Sequence, residues 1–235
     1  MDFSIYCQDD IRILEKLKEG GFDPRIIYDI GASNGFWSAA IAPLFPRSQF
    51  HLFEPAVDLV PEYKPYMDQN LAAHPNFTLH PFALGDTNGT IKICLSPGGF
   101  GNTTLDVGTS TYFPTNAQVP IKTLDAAVKE LKLPAPQLIK IDVQATEDKI
   151  LRGAIQTLPA AEVVEIECWT RKGYGTDTPL MSQITEFMEA HSFNLVETGY
   201  AYYSEERKLE AIDCFFLRDD LCKKWKTTLP PQPWR

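Results

Sequence analysis

Apolar positions recur along this chain in two periods. From residue 26 to residue 168, short apolar runs alternate with segments whose apolar residues return every three or four positions. That alternation predicts a mostly parallel sheet covered by helices. A leading helix comes first. Asp9 or Asp10 can cap it, Ile11, Leu14 and Leu17 share one face, and Gly20-Gly21 ends it. Residues 25–30 read as the first core strand, followed by a glycine-bearing turn and a helix over 35–44. A second strand spans 49–53, a helix broken at Pro61 and Pro65 lies within 55–73, and a third strand spans 77–83.

Residues 89–122 interrupt the alternation. Two strand-like runs, 91–95 and 119–122, flank a polar, glycine-rich segment over 96–118, a length of loop that is usually functional or mobile. The alternation then resumes with a helix from its cap Thr123 to 133, a strand over 137–143, a helix over 146–158, a strand over 161–168 and a helix over 179–191. The last two strands, 193–198 and 210–218, have no helix between them, so the sheet is expected to end antiparallel. The whole reads as one domain, with a helical cap over 1–24, a core over 25–218 and a tail over 219–235.

Composition narrows the class. The chain has 235 residues, 44% of them hydrophobic and 11% aromatic, enough for a sizeable core. Its 22 basic and 31 acidic residues give a net charge of −9. Such a surface repels phosphate backbones and anionic lipid, so neither nucleic acid nor a membrane surface is an expected partner, while a small cationic ligand stays open. No apolar run reaches the roughly 18 residues of a membrane span. The first ten residues lack a basic and apolar leader, which predicts a cytoplasmic protein. Five cysteines, an odd number, occur without C-x-x-C, and Cys94, Cys168 and Cys214 fall in strand-like runs as reduced thiols. The N-x-T sequons at Asn76, Asn88 and Asn102 read as turn chemistry.

Three strand ends carry acids. Tyr28-Asp29-Ile30-Gly31-Ala32-Ser33-Asn34-Gly35 is a strand, an acid, a glycine turn and a helix start. Such a turn sets free N–H groups against a ligand. Ala32-Ser33 stands where G-x-G-x-x-G would place its second glycine, which disfavours a pyrophosphate. Phe53-Glu54-Pro55 puts an acid 23 positions after Gly31, where a doubly wound fold chelates ribose hydroxyls. Phe82-Ala83-Leu84-Gly85-Asp86 repeats the theme. Together they form one carboxyl-terminal edge, the usual crevice of such sheets.

In these segments the chain resembles class I S-adenosylmethionine-dependent methyltransferases, and among them the FkbM-type family, from about residue 27 to residue 219. Further support comes from the segments 119–125, Ile139-Lys140-Ile141-Asp142-Val143, Glu147 to Ala154, Glu165-Ile166-Glu167 and Asp213 to Leu217. The resemblance implies a doubly wound, Rossmann-like fold with a seven-stranded sheet, an antiparallel last strand and a β-hairpin insertion. It also implies that Asp29 and the turn Gly31, Ala32, Ser33, Asn34, Gly35 face the methionine part of S-adenosylmethionine. Glu54 with Pro55 would hold the ribose, Leu84 and Asp86 would line the adenine pocket, and Thr104 would contact cofactor or substrate. One departure stands out: the family's Asp-Val-Glu-Gly-Ala-Glu is here Asp142-Val143-Gln144-Ala145-Thr146-Glu147.

Methyl transfer to oxygen needs alignment and a base. Asp142 and Glu167 end adjacent strands and are the expected base and substrate-orienting pair, with Glu165 deeper on the same face. The pair can also hold a divalent cation, although no D-x-D or H-x-x-x-H spacing favours a metal. Of the histidines His51, His74, His80 and His191, His80 is nearest the expected site. Trp169, Tyr174 and Tyr200 to Tyr203 fall in edge loops that can line an acceptor pocket. The expected activity is O-methylation of a small natural product or sugar hydroxyl, with the oligomeric state open. A non-catalytic cofactor-binding subunit and a nicotinamide-dependent oxidoreductase are the competing readings. The oxidoreductase is disfavoured by the missing glycine and the lack of a Tyr-x-x-x-Lys.

Overall fold

The computed structural model describes residues 7–108 and 110–224. Residues 1–6 of the expected cap and 225–235 of the expected tail lie outside the described residues. The chain runs α1 (Gln8–Glu19), β1 (Ile26–Ile30), α2 (Phe36–Ile41), β2 (Gln49–Phe53), α3 (Tyr63–Ala73), β3 (Phe77–His80), β4 (Ala83–Gly85), β5 (Gly89–Leu95) and β6 (Thr115–Thr123). It continues α4 (Leu124–Leu131), β7 (Leu138–Ile141), α5 (Glu147–Arg152), β8 (Val163–Trp169), α6 (Met181–Ala190), β9 (Phe193–Tyr203), β10 (Leu209–Arg218) and α7 (Asp219–Lys224). Seven strands form the main sheet in the order β3-β2-β1-β7-β8-β10-β9. All neighbours are parallel except β10, which is antiparallel to both β8 and β9.

The expected architecture holds, with four local differences. Cys7, not Asp9 or Asp10, occupies the cap position of α1. The two aspartates lie in the first turn, where the helix dipole favours acids. Pro65 does not break α3: it is the third helical residue, where the backbone has no N–H partner to lose. The expected third strand is split at Pro81, which lacks a donor for the ladder. Beyond it, β4 leaves the main sheet and joins the insertion as a second sheet, β4-β6-β5. Helix α5 stops at Arg152 because Gly153 passes close under β4; a Cβ there would fall 2.0 Å from the Gly85 carbonyl oxygen.

The main sheet is covered on both faces. On one, Ile26, Tyr28, Ile30, Ile139, Ile141, Val164, Ile166 and Phe216 pack against α4, α5 and α6. On the other, Ile27, Leu138, Val163, Phe215 and Leu217 pack against α1 and α2, but only over the lower half of the strands. Toward the carboxyl ends the second face changes character, and the site begins there.

Candidate active site

Strand register builds a charged row across the sheet. Asp29 on β1 stands opposite Lys140 on β7, and Lys140 opposite Glu165 on β8. One step higher, Glu167 on β8 is paired with Asp213 on β10. All five side chains are buried. Lys140 Nζ lies 3.1 Å from Asp142 Oδ2 and 3.9 Å from Asp29 Oδ1. Burial alone would lower the Lys140 pKa, but Asp142, Asp29 and Glu165 outweigh it and hold the ammonium form. Burial raises the pKa of Asp29, against Lys140 and a 2.6 Å hydrogen bond donated by Ser38 Oγ.

Two adjoining cavities open at this edge. The smaller, about 120 Å³, has Glu54, Pro55, Phe82, Leu84 and Thr104 in its wall. The larger, about 790 Å³, is lined by Lys140, Glu165, Glu167 and Asp213 of the charged row, by Trp169, Tyr174 and Tyr202, and by Ala32 and Asn34. Gly31, Ser33, Phe100, Asp142 and Gln144 line both and form the seam between them.

The turn after β1 is shaped for this. Gly31 has φ +82, and a Cβ there would lie 1.8 Å from the Asp142 carbonyl oxygen, so only glycine lets β7 pass. Gly35 (φ +81) is the cap of α2. Glu54 binds the turn: Oε2 accepts from Ser33 N–H at 2.7 Å and Oε1 from Ala56 N–H at 2.8 Å. Burial nevertheless pushes its pKa up to about 7. Each Glu54 oxygen keeps a second lone pair, the acceptor set a ribose diol needs.

The expected acid pair is brought together by the residue that departs from the family pattern. Gln144 Nε2 donates to Asp142 Oδ1 at 2.8 Å and to Glu167 Oε2 at 3.0 Å, and its Oε1 accepts from Tyr174 OH at 2.7 Å. A glutamate there would add a third buried acid. The glutamine instead supplies two donors and fixes both carboxylates. Gln144 (φ 60) and Ala145 (φ 77) both sit in the left-handed region, the conformation the missing glycine would suit. Burial, then Asp142 and Glu147, raise the pKa of Glu167 well above the usual carboxylate range. With an amide donor filling the space between the acids, the pair is not arranged as a metal chelate. Among the described residues no group of three or more His, Cys, Asp or Glu side chains is placed to hold a metal ion.

The structure separates the remaining expected site residues. Gly31, Ser33, Glu54, Pro55, Leu84 and Thr104 line the smaller cavity, and Ala32, Asn34 and Glu167 the larger. Asp29 and Gly35 line neither; Asp29 faces inward to Ser38 and Lys140 and acts on the site through that lysine. Asp86 is also outside both cavities, tied to Arg152 on α5 at 3.0 Å. His80 does not reach a cavity: its Nε2 lies 3.0 Å from His51 Nδ1, and burial with that neighbour lowers its pKa to about 4. Tyr200 to Tyr203 belong to strand β9 rather than a loop, and Tyr202 and Tyr203 still line the larger cavity. Of the sequon asparagines, Asn102 makes a local contact, accepting from Ser96 N–H, whereas Asn76 donates to Ser48 O and Asn88 accepts from Thr123 N–H, each across distant parts of the chain. The long insertion arm closes the site, Phe100 and Thr104 on the smaller cavity and Phe113 on the larger.

Lys140, Asp10 and Asp213 were not expected as site residues. The signal for Lys140 was a lone cation inside an otherwise apolar strand, Leu138 to Ile141. Nothing local marks Asp10, which reaches the sheet only because α1 folds across it.

Comparison with known proteins bears on the family and the fold. The 2-O-methyltransferase NoeI of Sinorhizobium fredii (strain NBRC 101917 / NGR234) is 26% identical over 171 residues, 67% of this chain and 68% of that protein. The structure of magnesium protoporphyrin IX methyltransferase from Synechocystis PCC 6803 with bound SAH matches with a TM-score of 0.52 at 9% identity, over 92% of this chain and 83% of that one. The methyltransferase FkbM structure from Methylobacillus flagellatus KT matches at 16% identity and a TM-score of 0.47, over 81% of this chain, which spans only 43% of that longer one. A family model described as the methyltransferase FkbM domain matches residues 29–195, and the chain belongs to that family.

Proposed function

We propose that this protein transfers a methyl group from S-adenosylmethionine to a hydroxyl oxygen of a small natural product or sugar. The observation that carries the reading is the pair of adjoining cavities with Asp142 and Gln144 at their seam. Glu54 and Pro55 would hold the ribose, and Phe82 and Leu84 the adenine, in the smaller cavity. When bound there, the cofactor supplies an activated methyl group, so the protein has to align the acceptor, exclude water and take a proton. NoeI, the O-methylating relative, supports oxygen as the acceptor.

Of the two acids, Glu167 is the better proton acceptor. Among the described residues no cation pairs with Glu167, whose carboxylate is held by the Gln144 amide, whereas Lys140 at 3.1 Å keeps Asp142 committed to an ion pair. In this reading the acceptor hydroxyl gives its proton to Glu167. Glu54, Pro55, Phe82 and Leu84 would hold the cofactor, which would supply the methyl group to that oxygen. Asp142 and Gln144 hold Glu167 in place.

The test is calorimetric titration with S-adenosylmethionine, S-adenosylhomocysteine and NAD, with and without magnesium. Saturable binding of the first two and not of NAD is the expected result. Binding of NAD alone would overturn the reading in favour of an oxidoreductase.

A further inference from the structure

We propose that the larger cavity takes an acceptor bearing a protonated amine beside its hydroxyl, with the ammonium seated among Glu165, Asp213 and Asp10. This names the acceptor class for the methyltransferase reading above and rests on it.

The cavity is lined by six acids, Asp10, Asp142, Glu165, Glu167, Glu210 and Asp213, and by one cationic side chain, Lys140. The lysine is already committed to Asp142, with Asp29 at 3.9 Å. Gln144 holds Glu167. That leaves Glu165, Asp213 and Asp10 without an ion pair among the described residues, with Lys140 acting on them only from a distance. Glu165 is 2% exposed, and its Oε2 has no hydrogen-bond partner among the described residues. A buried carboxylate oxygen left unpaired has lost its hydration without compensation, so a site that keeps one is built around a donor from outside.

The three acids come from three elements that the fold converges. Glu165 and Asp213 stand on adjacent strands β8 and β10, and Asp10 crosses above them on α1. A Cβ on Gly199 of β9 would lie 3.2 Å from Asp10 Oδ1 and 3.3 Å from Asp213 Cβ, which places both acids against that glycine. Burial raises the pKa of all three; Asp10 and Asp213 raise that of Glu165 further, and Asp10 that of Asp213. An ammonium group brings one positive charge and three N–H donors, and it restores the ionised form that burial disfavours. A neutral sugar offers hydroxyl donors but no charge. Trp169, Tyr174 and Tyr202 add aromatic walls that attract a cation.

The cofactor's own ammonium is the other source of such a charge, and the experiment separates the two. Protein saturated with S-adenosylhomocysteine, whose ammonium is then already placed, is titrated with two matched pairs, tyramine against N-acetyltyramine and glucosamine against N-acetylglucosamine. In at least one pair the free amine is expected to bind about 10-fold or more tightly than its acetylated partner. Glu165→Gln and Asp213→Asn, both isosteric, are expected to remove that preference while the affinity for S-adenosylhomocysteine stays within about 2-fold. No preference in either pair overturns the proposal, as does a preference that survives both substitutions. A parallel loss of S-adenosylhomocysteine affinity would assign the acids to the cofactor and also overturn it. Failure of the unmodified protein to bind S-adenosylhomocysteine at all would instead remove the methyltransferase reading on which the proposal rests.

Discussion

The two faces of the central strands are used in opposite ways. On one face of β7, β8 and β10, Ile139, Ile141, Val164, Ile166, Cys214 and Phe216 meet three helices in one apolar cluster. On the other, Leu138, Val163, Leu217 and Phe215 are apolar, but further along the same parity come Lys140, Glu165, Glu167 and Asp213. Both faces are buried, so exposure does not distinguish them. Their chemistry does. Stability is concentrated on the dry face and the lower half of the other, and the upper half is given to charges that the fold holds at a cost.

The hardest test of this division changes two neighbours on one strand. Ile166→Asp puts an unpaired charge into the dry face and is expected to cost roughly 4 kcal/mol or more, measured by urea denaturation. Glu165→Leu, one residue away, removes a buried acid and is expected to leave stability within about 1 kcal/mol of the parent or above it. Equal losses at both positions would show that the charged row is part of the structural core.

Lys140 is the single cation of that row, and its removal comes next in size. Lys140→Met leaves Asp29, Asp142 and Glu165 without a counter-charge, an expected loss of about 3–5 kcal/mol at pH 8. The deficit shrinks toward pH 5, where the buried carboxyls take up protons. A deficit independent of pH would mean that Lys140 acts through packing alone, above Trp37 at 5.9 Å.

The unmodified protein carries a smaller pH signature of the same kind. Burial raises Asp10 and Glu54 to about 7 and Glu147 to about 8. The native state therefore binds more protons than the unfolded chain once pH exceeds the ordinary carboxylate range. Stability is full below that range and falls as pH rises through 7 to 8. The melting temperature is expected to be lower at pH 8.5 than at pH 6, by about 2–4 °C for each kcal/mol lost. Glu147→Gln should flatten the upper end of this slope. A melting temperature that rises over the same interval would contradict the buried-acid assignment.

Much of this was readable before the fold was known, for physical reasons. The alternation of strand and helix periods reports which side of each backbone meets a core, so the doubly wound sheet was legible from Ile26 to Trp169. Glu54 was legible because its position follows from strand and turn lengths alone. Asp86 was misread for the same reason: the rule of acids at strand ends places a residue at the edge but does not show that Arg152 waits on α5 to turn it outward. The split at Pro81 was visible in the sequence as a missing donor and went unused. Asp10 was beyond reach, since its role depends on how α1 lies across the sheet, and no period in the helix encodes that. Gln144 showed as a departure, but its meaning, an amide shared by two acids, needed Asp142 and Glu167 in space.

The turn that carries Gln144 offers the finest test, because two opposed effects nearly cancel there. Ala145 has φ 77, a left-handed conformation in which glycine is favoured over alanine by roughly 1 kcal/mol. Its methyl group is buried with Leu105, Trp169 and Ala211, and burying one such group is worth about 0.8 kcal/mol. Ala145→Gly also gives the unfolded chain more freedom, which opposes any gain from relieved strain. The net change in stability is therefore expected to stay within about 0.5 kcal/mol, while the wall below Trp169 loses a methyl and the larger cavity loosens. A gain above about 1 kcal/mol would mean that strain dominates and that the alanine is kept for the shape of the acceptor cavity. A loss of that size would mean that the methyl is part of the core, and that the boundary between the structural and charged halves of this face runs above Ala145 rather than through it.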